Sequence, residues 1–191
     1  FKEHEGSFLV GMIAAMKSQT GTIGFVGGMD IPLIRKFHGG YEQGAKYVNP
    51  DINVLMNMTG TTPEAWNNPT KGAELTKAQI DKGADVVYQA AGGTGIGVLQ
   101  AAADAGIFGI GVDANQNYMH PGSVLTSMLK RVDVAVYNAF KSTIDGTYEA
   151  GVFTLGLAED GVGWALDEHN ASLITDEMKS KVEQARKDII S

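Results

Sequence analysis

Along this chain, short apolar runs repeatedly give way within a few residues to segments with helical spacing. The apolar runs lie at 22–26, 53–58, 85–89, 108–112 and 123–127. Helical spacing appears at 32–47, around 70–82, from the Gly92-Gly93-Thr94-Gly95 turn to Ala105, and at 131–145. Strands apolar on both sides must be covered on both sides, and helical crossovers between them make neighbouring strands parallel. The pattern therefore predicts an α/β fold with a doubly wound parallel sheet. The 25 glycines among 191 residues, about twice the usual share, fit many tight strand-to-helix turns.

The two ends depart from this alternation. Residues 4–17 read as a helix with Phe8, Leu9, Met12, Ile13 and Met16 on one face and no strand before it. After Gly146, Thr147–Leu157 and Gly163–Leu166 read as two strands joined by Glu159-Asp160-Gly161, followed by an amphipathic helix at 175–190. Two readings stand open: the ends belong to a second lobe whose body is absent, or they pack on the one domain as extra layers. The chain opens at Phe1-Lys2-Glu3 without an initiator methionine or a leader-like segment, so it is expected to start part-way through a longer protein. The longest apolar stretch, Phe8–Met16, is far short of the roughly 20 residues of a membrane span.

Composition excludes several kinds of chemistry. A net charge of -7 argues against nucleic acid as a partner, because phosphate binding needs a basic surface. With no cysteine there is no disulfide, thiolate metal site or cysteine nucleophile. No Gly-x-Ser-x-Gly elbow, Walker loop or His-Glu-x-x-His helix is present. His4, His38, His120 and His169 lack ligand spacing, and Glu159-Asp160 and Asp167-Glu168 read as solvated turns. The expectation is a protein that is not an enzyme and that uses no cofactor and no metal.

Gly92-Gly93-Thr94-Gly95-Ile96-Gly97 follows a strand and opens a helix, but its spacing is not that of a dinucleotide fingerprint. It reads either as a tight turn with Thr94 capping the helix, or as bare backbone that lets a planar ligand come close. In open α/β sheets, ligands bind beyond the carboxyl ends of the strands. Just past the strands of this chain stand Gly27-Gly28-Met29, then Thr59–Trp66, Gly92-Gly93, Asp113 and Lys130. Each has a plain alternative: Trp66 packing on a neighbouring helix, Asp113 capping a turn, Lys130 as surface charge. Taken together they describe a pocket with an aromatic plate, a carboxylate for hydroxyls, and a cation holding that carboxylate ionised.

Four ordered segments carry a family resemblance: Thr22–Gly28, Gly83–Gly95, Ile110–Asp113 and Thr126–Asp133. With them the chain resembles the basic membrane protein family, bacterial lipoproteins that serve as solute-binding subunits of ABC importers and include purine nucleoside receptors. The resemblance implies a two-lobed periplasmic-binding-protein fold. Residues 1–20 would be a first-lobe remnant, 21–130 the ligand-binding lobe, and 131–191 a crossover helix with strands and a helix returning to the first lobe. It also implies a small solute, most often a purine nucleoside, an ABC permease as partner, and a lipid-anchored protein in the periplasm or at the cell surface. The implied ligand residues are Trp66 stacking on the base, Asp113 on the ribose hydroxyls, Lys130 as its partner, and Gly92 and Gly93 as nearby backbone. Many members have Phe where Trp66 stands. The alternatives are a ligand-sensing effector domain of a regulator, or a binding protein for a sugar or another hydroxyl-rich solute.

Overall fold

The computed structural model describes residues 1–191. Helix α1 (Glu3–Lys17) precedes strand β1 (Thr22–Met29), α2 (Pro32–Val48) and β2 (Asn53–Gly60). A 3-10 turn at Pro63–Trp66 leads to α3 (Pro69–Ile80), β3 (Val86–Ala90), α4 (Thr94–Asp104), β4 (Phe108–Asp113) and β5 (Val124–Lys130). Helix α5 (Val132–Ile144), strand β6 (Val162–Trp164) and helix α6 (Asp176–Ile190) complete the chain.

All five expected strands lie in one sheet, ordered β2-β1-β3-β4-β5-β6. The pairs from β2 through β5 are parallel, and β6 runs antiparallel to β5 at the edge. Strand β1 sits between β2 and β3, so the chain winds outward once and then reverses. That reversal opens a crevice beyond the carboxyl ends of β1 and β3, where open α/β sheets take ligands. Burial matches the topology: β3 is buried along its whole length and β1 at all but its two ends. Helices α3 and α4 cover one face of the sheet, and α1, α2 and α6 cover the other.

Helix α1 is the least ordinary layer. It is apolar nearly all round, and such a helix must be enclosed. Leu9 to Ala15 are all buried, against the sheet, α2 and α6. Within this chain α1 packs on the sheet, and α6 packs on α1. The α1–α2 contact is a backbone-to-backbone approach: a Cβ at Gly44 would land on the carbonyl of Phe8, and one at Gly40 on that of His4. Beneath it, Phe25, Tyr41 and Tyr88 stack edgewise and tilted, with Tyr88 centred 5.5 Å from Phe25 and 5.1 Å from Tyr41.

The expected strand at Thr147–Leu157 does not form. A strand needs a neighbour to take its ladder hydrogen bonds, and here α5 carries the chain away from the sheet before this segment begins. Helix α5 has no buried residue; Val136, Tyr137, Phe140 and Ile144 stand exposed, as do Tyr148, Val152 and Phe153 beyond it. The second expected strand, Gly163–Leu166, does form, displaced to Val162–Trp164. No helix is long and apolar enough to cross a membrane.

Candidate ligand-binding site

The carboxyl edge of the sheet brings most of the expected residues together. Trp66, Gly92, Asp113 and Lys130 line one cleft of about 180 Å³, with Ala90 and Val112 from the strand ends and Leu33, Ile34 and Phe37 from the first turns of α2. Gly93 is not on its wall; it lies behind, where an added Cβ would sit 3.2 Å from the Trp66 carbonyl. Asp113 and Lys130 also border a broader groove of about 490 Å³ that continues to Arg131 and Asp133.

Trp66 is half-buried, its ring laid on backbone. A Cβ at Gly28 would collide with the six-membered ring, so only glycine at the end of β1 leaves room for the plate. Gly92, at φ 57°, adopts the left-handed conformation that glycine tolerates and turns the chain beneath the same residue. The loop is pinned by Thr94, whose hydroxyl donates to the Ala65 carbonyl at 2.8 Å and accepts from the Asn68 amide at 2.7 Å. Thr59 donates to the same carbonyl at 2.9 Å. Thr94 therefore does not cap its own helix, since its oxygen is committed to the neighbouring loop. Replacing it with valine is expected to cost about 1–3 kcal/mol by stranding the Asn68 amide, since the Ala65 carbonyl keeps Thr59 as a donor, and is read as a lower urea midpoint.

Asp113 ends β4 at φ 64°, a conformation rare outside glycine but tolerated by Asp and Asn. The turn is braced from below. Gln116 Oε1 accepts from the Val112 amide at 2.9 Å and from Gln89 Nε2 at 2.7 Å. Ser127 Oγ accepts from the Gln116 amide at 3.0 Å. The Asp113 carboxylate accepts no hydrogen bond from the protein. The surrounding protein raises its pKa by desolvation, Lys130 opposes that rise, and the charge of Glu3 adds to it.

The expected Asp113–Lys130 ion pair is not formed. Lys130 Nζ instead lies 3.4 Å from Glu3 Oε1 and 5.4 Å from the centre of the Phe1 ring. Register explains this: Asp113 pairs with Leu129, so Lys130, one residue on, projects to the face that α1 covers. Lys130 is near enough to favour ionised Asp113, yet the net direction is upward, opposite to a carboxylate held ionised by its partner.

Sequence reasoning placed Gly28 on this edge as bare backbone, and missed Glu3, Gln89, Gln116 and the α2 residues as parts of the site. Gly28 and Gln89 lie within the segments that carry the family resemblance, but nothing local marks Glu3, which reaches the site only through the packing of α1. Away from the cleft, Asp167 is not simply solvated: its carboxylate accepts from Asn115 Nδ2 at 2.6 Å and Asn117 Nδ2 at 3.1 Å. A cavity of about 540 Å³ lies between α5 and the 147–155 segment. A planar ring stacked on Trp66 and hydroxyls turned to Asp113 suit the chemistry of the smaller cleft.

The chain is similar in sequence and fold to several known proteins. The chain is 38% identical to basic membrane protein D of Borreliella burgdorferi (strain JD1) over 173 residues, 88% of this chain and 50% of that protein. It is 41% identical to an uncharacterized lipoprotein of Pyrococcus abyssi over 181 residues, 87% of this chain and 44% of that protein. It thus spans about half the length of the curated relatives it matches. An ABC transporter system solute-binding protein from Aeropyrum pernix K1 superposes with a TM-score of 0.86 at 31% identity, covering all of this chain and 63% of that one. A transcriptional activator of the comK gene from Bacillus halodurans superposes at 0.87 with 24% identity, over 98% of this chain and 62% of that one, a likeness of fold alone. The relatives that share its sequence are named as membrane proteins, lipoproteins and solute-binding proteins rather than enzymes. A family model described as ABC transporter substrate-binding protein PnrA-like matches residues 1–191, and the chain belongs to that Bmp family.

Proposed function

We propose that the longer protein to which this chain contributes one lobe captures a purine nucleoside between two lobes and delivers it to an ABC permease. It does so from the periplasm or cell surface, held by a lipid anchor. The observation that carries this reading is the cleft itself, where the Trp66 ring, a carboxylate with both oxygens uncommitted and a lysine converge at the reversal point of the sheet. Trp66 stacks on the base, Asp113 accepts from the ribose hydroxyls, Lys130 supplies positive charge beside it, and Gly92 leaves backbone open to the ligand with Gly93 supporting the loop. The second wall comes from the lobe outside this chain, and closure of two lobes buries the solute without chemistry. The lipoprotein names of relatives support the anchor, and family membership supports the permease.

Calorimetry on the full-length protein tests this with adenosine, adenine and ribose. Adenosine is expected to bind more tightly than either part, and the 191-residue chain alone far more weakly. Equal affinity for adenine and adenosine would overturn the ribose contact. Preference for ribose or another sugar over both would favour a sugar-binding protein instead.

A further inference from the structure

We propose that Glu3 is a positioning residue of this site, holding Lys130 away from Asp113 so that both Asp113 oxygens stay free for a ligand. The inference rests on the reading of Asp113 as a hydroxyl acceptor. Glu3 opens α1 and is nearly sealed: its side chain is 3% exposed, against 20% for Lys130. A carboxylate so buried is costly unless paired. Its Oε1 faces Lys130 Nζ at 3.4 Å, while Oε2 is buried with no hydrogen-bond partner. Two carboxylates, Glu3 and Asp113, therefore compete for one lysine at the cleft wall. The more deeply buried of the two, with more to lose by standing alone, holds it. The other titratable groups in this cluster are the phenols of Tyr88 and Tyr41, uncharged across the acid range.

Freed from Glu3, the lysine still shares the cleft wall with Asp113, whose ionisation its charge already favours. It would then occupy the oxygens a ligand needs, and it would make Asp113 more acidic. The experiment is a 13C titration of the Asp113 carboxyl in the ligand-free full-length protein, alongside its nucleoside affinity. Glu3→Gln should move the Asp113 midpoint to lower pH and weaken adenosine binding at neutral pH by about tenfold, the scale of one charge-assisted hydrogen bond. In a Lys130→Met background the same substitution should move the midpoint much less, because the effect runs through the lysine. A shift that persists undiminished there is a direct field effect and overturns the proposal, as does an unchanged midpoint. Should the glutamine variant fail to fold, Glu3→Asp keeps the charge but withdraws it by one methylene; a lowered midpoint then reports the released lysine, and an unmoved one overturns the proposal. The titration needs no ligand. If adenosine does not bind the full-length protein while the midpoints move as stated, the nucleoside reading fails and the positioning role stands.

Discussion

Replacing Asp113 by alanine is expected to weaken purine ribonucleoside binding to the full-length protein by about tenfold to several-hundredfold, since each charge-assisted hydrogen bond contributes roughly 1.5–3 kcal/mol. Free bases should lose little, because the lost contact is to the sugar. Alanine also carries a backbone cost at φ 64°, so asparagine is the cleaner companion: it tolerates that conformation and keeps one acceptor. Asp113→Asn should therefore weaken binding less than alanine does. It should also stabilise the ligand-free protein at neutral pH. Burial lifts the Asp113 pKa in the folded state, against the pull of Lys130. A carboxyl so shifted binds its proton more tightly folded than unfolded, so its ionisation opposes folding as pH rises through the folded pKa. Asparagine removes that ionisation. Thermal melts across acid and neutral pH should show the variant gaining on the wild type as pH rises; a gap independent of pH would contradict this.

The second large effect is expected far from the cleft. Gly44→Val should destabilise the chain by about 3 kcal/mol, the upper end for overpacking in a close-fitted interior. Because the added Cβ meets the Phe8 carbonyl, backbone rather than a movable side chain, relief requires α1 and α2 to separate along their whole contact. For a domain of this size that corresponds to a fall of roughly 6–12 °C in melting temperature. A fall under about 2 °C, on the same scale, would show that the helices are not held at this point.

The sheet was legible because its signal is local and repeated. Each apolar run is bounded by turn residues, and the reversal of the chain around β1 obeys crossover rules once the strands are placed. Trp66, Gly92, Asp113 and Lys130 could be grouped because strand ends share an edge of a parallel sheet whatever the side chains do. The parts of the site hidden from sequence depend on contacts distant along the chain. Glu3 and Lys130 are far apart in sequence and meet only because α1 lies across the end of β5. Thr94 looked like a helix cap because capping is a short-range habit; its actual partners, Ala65 and Asn68, belong to another loop. Thr147–Leu157 has the apolar content of a strand, but pairing requires a neighbour that composition does not supply.

The excursion through α5 also bears on how the polypeptide can be recut. The chain leaves the sheet after Arg131 and is back by Gly161, whose carbonyl accepts from the Arg131 amide at 2.8 Å. Just before that return, Leu155 and Leu157 are fastened to the start of the molecule, Leu155 through the Lys2 amide at 2.8 Å and Leu157 through Glu5 at 2.8 Å. Departure and return share one seam, so residues 132–154 form a lobe-like insert that none of the sheet's strands passes through. A protease nick in that excursion is therefore expected to leave β6 and α6 docked, the two fragments co-eluting on gel filtration; separation of the fragments would show that the seam does not hold them.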